Sequence, residues 1–295
     1  MPSRQPSLAT PRRVLVTGAG GMLAFDLSPA LARAGYEVFA RPRSDLDVRD
    51  PAAVGRAFRE TRPEAVVNCA AFTRVDACET DPRAEEVNAL GPANLARECA
   101  IHGASLIQVS TDFVFDGAKE TPYTEDDEPR PLSEYGRTKR RGEEAALSLP
   151  NALVVRSSWL FGRGGWNFVE AILKQVDQGR SKLEVVRDQR GRPTATPDLA
   201  EAIVALLHSG ATGVFHFANR GETTWLEFAR EILSLAGRED VTVRPIDSET
   251  LARPAKRPAY SALDTTLYEK RTALPIRSWQ DALAEYLALR SRPEA

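Results

Sequence analysis

A doubly wound, mostly parallel α/β sheet is what this sequence predicts, followed by a smaller C-terminal α/β lobe. Three observations carry that expectation. Short apolar runs alternate with amphipathic stretches from Arg13 to Arg156, a glycine-rich turn joins the first run to the first stretch, and the rhythm loosens after Arg156. Strand and helix alternating in this way imply right-handed crossovers and a sheet covered on both faces. At 295 residues the chain is long enough for one large α/β domain or two smaller ones.

Taken in order, Val14 to Val16 is the first strand, and Leu23, Leu27, Leu31 and Ala34 form the buried stripe of the first helix. Gly35, tolerant of left-handed geometry, ends that helix. Tyr36 to Ala40 is the second strand, Asp47-Val48 closes a short third, and a helix begins near Pro51. Ala65 to Cys69 is a strand, Pro82 to His102 a long helix, and Leu106 to Ser110 a further strand. Ser133 opens a helix to about Leu149, and Ala152 to Arg156 returns as a strand. Beyond it, Phe168 to Asp177, Leu199 to His208, Leu226 to Ala236 and Ser278 to Arg290 are helical patterns, and Val214 to Phe217 is a strand. The expected divisions are a disordered tail over 1–11, a dinucleotide-binding domain over 12–165 whose sheet takes in parts of 195–220, and a mainly substrate-binding lobe over 166–290. A ligand crevice is expected between the lobes.

Composition excludes several classes. Hydrophobic residues at 42% and charged residues at 27% suit a globular interior. The formal net charge of -2 gives no electrostatic reason to expect a nucleic-acid polymer or an anionic membrane as partner. No run approaches the roughly 20 apolar residues that span a bilayer, and Met1 to Pro11 lacks the apolar stretch of a signal peptide. Cys69, Cys78 and Cys99 form neither a C-x-x-C pair nor a zinc spacing, which fits a reducing compartment. The expected location is the cytoplasm.

The turn Thr17-Gly18-Ala-Gly20-Gly21-Met22-Leu23-Ala24 lies where the first strand meets the first helix. Glycines there permit a tight turn and let a pyrophosphate approach backbone amides at a helix N-terminus, the Rossmann-type arrangement. Gly18 and Gly21 keep the Gly-x-x-Gly part, and Ala24 occupies the third small position. The second strand runs out into Arg41-Pro42-Arg43, with Asp45 and Asp47 beyond. Arginine at that place accommodates the 2′-phosphate of NADPH, while the carboxylates leave NADH open.

Tyr135-Gly-Arg-Thr-Lys139 falls on the helix that begins near Ser133. Residues four apart share a helical face, so the Lys139 ammonium is placed beside the Tyr135 phenol. A neighbouring cation favours the phenolate and brings a phenol toward the working range of an acid-base catalyst. Ser110-Thr111-Asp112 ends a strand, where open α/β sheets hold their ligands, and Thr111 is placed to hydrogen-bond the oxygen that Tyr135 protonates.

Together these residues resemble the extended short-chain dehydrogenases, and within them the dTDP-4-dehydrorhamnose reductase family. The matching segments are Val67-Asn-Cys-Ala-Ala-Phe-Thr73 with Val75-Asp76, Ser110-Thr-Asp-Phe-Val-Phe-Asp-Gly117, Tyr135-Gly-Arg-Thr-Lys139, Arg156-Ser-Ser-Trp-Leu-Phe-Gly162, Asn167-Phe168, Asp188-Gln-Arg-Gly-Arg-Pro-Thr194 and Arg257-Pro258. The resemblance implies that Gly21, Met22, Leu23, Arg41, Asp47, Val48, Ala71, Phe72 and Thr73 line the cofactor. It implies that Tyr135 and Lys139 serve catalysis and hold the nicotinamide ribose, with Thr111 as third catalytic member. Thr111, Asp112, Trp159 and Asn167 are implied to face a nucleotide-sugar substrate. The implied reaction is reduction of a C4 ketone, dTDP-4-dehydrorhamnose to dTDP-rhamnose.

Departures from the family pattern are Phe113, where tyrosine is usual, and Ala24 for the third glycine. Some relatives hold Mg²⁺ through acidic residues at a dimer contact, with Asp26 the candidate counterpart; no metal is expected here, and a homodimer stays open. A 4,6-dehydratase of the same fold needs a glutamate directly after Thr-Asp, where this chain has Phe113. Two other readings stay open: a nucleotide-sugar epimerase, which would retain its NAD, and an NADP-binding regulatory protein resembling the β subunit of methionine adenosyltransferase.

Overall fold

The computed structural model describes residues 13–290; the expected N-terminal tail lies outside them. The first half alternates as β1 (Arg13–Thr17), α1 (Met22–Arg33), β2 (Glu37–Arg41), α2 (Pro51–Thr61) and β3 (Ala65–Asn68). It continues with α3 (Arg83–Glu85), α4 (Gly91–His102), β4 (Ser105–Thr111), α5 (Glu134–Leu147) and β5 (Leu153–Ser157). The remainder has β6 (Leu160–Phe161), α6 (Phe168–Asp177), β7 (Lys182–Val186), β8 (Arg190–Gly191), β9 (Thr194–Ala195), α7 (Thr196–His208) and β10 (Gly213–His216). It ends with β11 (Thr223–Thr224), α8 (Trp225–Leu235), β12 (Thr242–Ile246), α9 (Thr266–Thr272) and α10 (Trp279–Arg290).

Six parallel strands form one sheet in the order β10-β5-β4-β3-β1-β2. Side chains alternate across it, as a period of two requires. Val14 and Val16 enter a core closed by Leu23, Leu27 and Leu31 of α1 and Leu199 and Ile203 of α7. Leu15 points the other way, to a core closed by Val54 and Phe58 of α2 and Leu95 and Cys99 of α4. A separate cluster joins α6, α8 and α10 through Ile172, Leu173, Phe228, Ile232 and Leu283. Strand β1 has β2 on one side and β3 on the other, so the chain reverses direction across the sheet there. Crevices for ligands open at the carboxyl ends of strands flanking such a reversal.

Two expectations need correction. Asp47-Val48 is not a strand: the Pro42 carbonyl accepts from both Asp45 N (3.0 Å) and Leu46 N (2.9 Å), which turns the segment back on itself. The helix over Pro82 to His102 is interrupted by a π-helical turn, Glu86–Leu90, between α3 and α4. The parallel pair β7 and β12 and helix α9 were not foreseen. Among the described residues no helix is long and apolar enough to cross a membrane, and no group of three or more His, Cys, Asp or Glu could hold a metal ion.

Candidate functional site

The glycine turn is shaped by close contact on one side and open space on the other. Gly18 has φ +65°, and a Cβ there would lie 2.7 Å from Ala70 N, so only glycine lets β1 lie against the loop after β3. A Cβ on Gly20 would meet nothing within 4 Å. Gly21 starts α1 with no side-chain cap and no acidic residue in the first turn, leaving amides for an anion. A groove of about 340 Å³ runs from Gly18, Gly20 and Gly21 past Arg43, Asp47 and Val48 to Ala71 and Phe72. These residues fit a dinucleotide: a backbone cradle open at Gly20, small side chains, and a nearby guanidinium.

The individual positions differ in how they meet that groove. The side chain of Leu23 is buried in the core, leaving its backbone for any ligand. Arg41 is partly exposed at the end of β2, 3.7 Å from Glu60, and its carbonyl accepts from Ala19 N. Asp47 is clamped by Arg49 at 2.6 Å, whose hydrogen bonds hold the carboxyl below its usual range. The loop of Ala71, Phe72 and Thr73 is pinned at Phe72, whose N donates to Asn88 Oδ1 (2.8 Å) and whose carbonyl accepts from Asn88 Nδ2 (3.0 Å). Thr73 is exposed and does not line the groove.

Helix α5 brings Tyr135 and Lys139 under β4. Ser133 caps it, accepting from Gly136 N, and two glycines let it sit unusually close to its neighbours. A Cβ on Gly136 would meet Phe113 O at 2.2 Å, and one on Gly142 would meet Asn88 O at 2.2 Å. Asn88 Nδ2 also donates to Thr138 Oγ1 (3.1 Å), so one buried amide ties the Phe72 loop to the helix between Tyr135 and Lys139. Farther along, Glu143 accepts two hydrogen bonds from Arg156 of β5, each 2.8 Å, with both side chains buried. Burial, the largest single influence, opposes ionisation of Glu143, but Arg156 together with the other donors around it holds the carboxyl below its ordinary value.

The expected lowering of the Tyr135 phenol is not what this geometry produces. Burial pushes the phenol above its ordinary value; a hydrogen bond with Thr111 pulls the other way, and Asp112 adds to the rise. Lys139 Nζ donates to the Val109 carbonyl at 2.6 Å, and burial lowers its ammonium to about 8. Thr111 Oγ1 donates to Asp112 Oδ1 (3.0 Å) and accepts from Phe113 N (3.2 Å). Burial raises Asp112 to about 6, opposed by hydrogen bonds from Ser261 and Thr111. Thr111 and Tyr135 are thus brought together, and Lys139 joins them one helical turn on, with its charge directed at β4.

Beside this cluster lies a pocket of about 370 Å³ whose walls include Phe113, Trp159, Trp225, Arg253, Arg257 and Ser261. The Phe113 ring meets Tyr135 edge-on at 5.5 Å, linking pocket and helix. Trp159 is held at φ +48°, a strained setting for so large a residue, with its ring stacked on Trp225 at 3.6 Å. A Cβ on Gly191 would strike that ring at 2.7 Å. Arg257 bonds Asp76 through both terminal nitrogens, 2.9 and 3.0 Å.

Asn167 is not brought to this pocket. It caps α6 by accepting from Glu170 N (3.3 Å), and its amide donates to Gly162 O (3.0 Å) near Met22 of the glycine turn. A further cleft of about 520 Å³ lies at the opposite end of the strands, by Arg13, Glu64, Ser105 and Leu153, where β1, β3, β4 and β5 begin.

The family model described as "RmlD substrate binding domain" matches residues 12–291. The chain belongs to the dTDP-4-dehydrorhamnose reductase family. It is 45% identical over 281 residues to a dTDP-4-dehydrorhamnose reductase of Streptomyces griseus, covering 92% of each chain. A crystal structure of such a reductase from Clostridium acetobutylicum superposes with a TM-score of 0.90 at 40% identity, over 95% of this chain and 99% of that one. Another, from Bacillus anthracis in complex with NADP, also gives 0.90, at 34% identity over 94% and 99%. In this chain Asn88 (to Phe72 and Thr138), Gln108 (to Asn68), Glu143 (to Arg156) and Trp225 (on Trp159) hold the site's surroundings and were missed by sequence reasoning; Tyr-Lys spacing is local, whereas these partners lie farther off in the chain.

Proposed function

We propose that this chain reduces the C4 ketone of a dTDP-4-keto-6-deoxysugar, dTDP-4-dehydrorhamnose to dTDP-rhamnose, with NADPH as preferred reductant. The observation that carries this reading is the meeting of Tyr135 with Thr111 on a helix that also carries Lys139, between the dinucleotide groove and the Trp159 pocket. Gly18, Gly21 and the amides of Met22 and Leu23 hold the cofactor diphosphate, and Arg41 and Arg43 meet the adenosine end. Asp47, Val48, Ala71 and Phe72 complete that wall, with the exposed Thr73 at its margin. The bound nicotinamide supplies the hydride. Tyr135, kept protonated at neutral pH by burial, gives its proton to the carbonyl oxygen. Thr111 holds that oxygen, and the Lys139 ammonium, turned to the ribose, stabilises the resulting phenolate.

Asp112 and Trp159 take the sugar, and Arg253 and Arg257 face its diphosphate. Phe113 cannot transfer a proton, which favours reduction over dehydration. Residues 12–165 with α7 and β10 serve the cofactor, and most of 166–290 serves the substrate. Cytoplasmic location and a homodimer belong to the same reading; Phe25 and Trp166, 46% and 65% exposed, offer apolar surface for a second copy. The test is oxidation of NADPH, with NADH alongside, against a panel of nucleotide-linked keto-sugars. Turnover of the dTDP-4-keto-6-deoxysugars with NADPH favoured is expected. No turnover of any member, or stoichiometric NAD retained by the purified protein, would overturn the reading.

A further inference from the structure

Three polar side chains stand side by side in the apolar sheet: Thr17, Asn68 and Gln108 are paired in register across β1, β3 and β4. All three are essentially without solvent contact. Polar groups buried this way are costly unless bonded, and here the bonding is fully directed. Asn68 Oδ1 accepts from Ala70 N (3.2 Å) and from Thr17 Oγ1 (2.5 Å), which fixes the amide with its nitrogen toward Gln108. Asn68 Nδ2 then donates to Gln108 Oε1 (2.7 Å), which obliges Gln108 Nε2 to donate to the Val109 carbonyl (2.9 Å). That carbonyl is also the acceptor of Lys139 Nζ. An unbroken chain of hydrogen bonds therefore runs from the strand that carries the glycine turn to the lysine.

We propose that Gln108 is a positioning residue for Lys139: by sharing the Val109 carbonyl it weakens the tether on the ammonium and leaves it free to turn to the nicotinamide ribose. The inference rests on the reading of Lys139 given above. A carbonyl that accepts two donors offers each less than it offers one, so removing the Gln108 amide strengthens the hold on the charged lysine. The ionisable groups acting on Lys139 are Glu143 on its own helix, itself engaged by Arg156, and Cys69 at the end of β3. Cys69 is pushed up to about 12 by burial and is neutral over the working range.

The direct test is an NMR titration of the lysine side-chain ¹³Cε resonances in the full-length protein, with Lys139 identified by its loss in Lys139→Met. Wild type is expected to titrate at about 8. In Gln108→Leu the midpoint rises, and in Gln108→Glu, which puts a carboxylate beside the ammonium, it rises by about one unit or more. Both variants raise the KM for NADPH by about 10-fold, a larger change than their loss in kcat at saturation, because the change falls first on cofactor capture. If Gln108→Leu does not fold, Gln108→Glu decides alone. A lysine midpoint that stays at the wild-type position in the folded variants overturns the proposal. Wild-type turnover by Lys139→Met would instead remove Lys139 from the chemistry, and the titration would still report on Gln108.

Discussion

Tyr135 and Lys139 share one face of α5, and burial moves their proton affinities in opposite directions, the phenol up and the ammonium down to about 8. At neutral pH the first is a reservoir of one proton and the second is charged, which is the pairing a ketone reduction needs. Tyr135→Phe is expected to lower turnover by about 10² or more while leaving the affinity for NADP within a few-fold, since the ring and its contact with Phe113 survive. Steady-state rates beside a cofactor fluorescence titration separate the two effects, and an unchanged rate would take Tyr135 out of the reaction. The Tyr-Lys spacing and the need for glycine at position 18 were legible because each is a local property of a helix or a turn. Asn88 and Gln108 were not, because nothing around them in the chain says that they bond Phe72 and Thr138, or Asn68. Asn167 shows the same limit from the other side: its place beside Phe168 was clear, but its amide is consumed by capping and by Gly162.

Elements were legible where their pattern was strong and obscure where tertiary contact wrote it. Phe168–Asp177 has a clean amphipathic stripe and was read to the residue, whereas β12 carries Pro245 and mixed exposure and has no alternation to find. The π turn at Glu86–Leu90 arises where a Cβ on Gly91 would come within 2.7 Å of Val48, a contact with no trace in the helical repeat. This turn matters because α5 leans on it through Gly142. The Asn88 carbonyl is backbone and cannot swing aside, so Gly142→Ala must push the helix outward or strain the turn. The expected outcome is a loss of about 1–3 kcal/mol in chemical denaturation, with a weakened kcat because Tyr135 and Lys139 move with the helix. Gly55→Ala in α2 is the contrasting case. Its Cβ would meet the end of the flexible Arg59 side chain at 3.3 Å and the Glu98 carboxylate at an ordinary 3.7 Å, with no backbone in the way, so the better helix former stabilises by up to about 1 kcal/mol. Equal effects from the two substitutions would mean that the packing at Asn88 is not what sets the position of α5.

At the scale of the whole molecule, the strand-helix rhythm was enough to read the parallel sheet and a late strand over Val214 to Phe217, which the structure sets as Gly213–His216 outside β5. What that return puts into the interior was not readable. His216 is buried, its Nδ1 within 3.0 Å of the Tyr123 carbonyl and its Nε2 near Arg156, and burial together with that guanidinium drives it down to about 3. Between pH 6.5 and about 3 the unfolded chain therefore binds a proton at His216 that the native protein refuses, and stability falls as the solution is acidified. Asp112 does the reverse. Its buried carboxyl is raised to about 6 from 3.8, so through that interval the native protein holds the extra proton and gains stability on acidification. From pH 6 down to about 5 the two slopes are opposite in sign, Asp112 rising from roughly half a proton to nearly one and His216 from roughly three-quarters to nearly one. Wild type should thus change little in unfolding free energy over this interval on account of these two groups. Asp112→Asn removes the compensating slope, and its stability is expected to fall by up to about 1.4 kcal/mol per pH unit over the same interval. His216→Asn leaves the opposite slope and should gain on acidification relative to wild type. Urea denaturation of the three proteins at half-unit steps decides it: parallel curves would show that neither side chain carries the burial-driven shift, and a slope of the wrong sign in either variant would reverse its assignment.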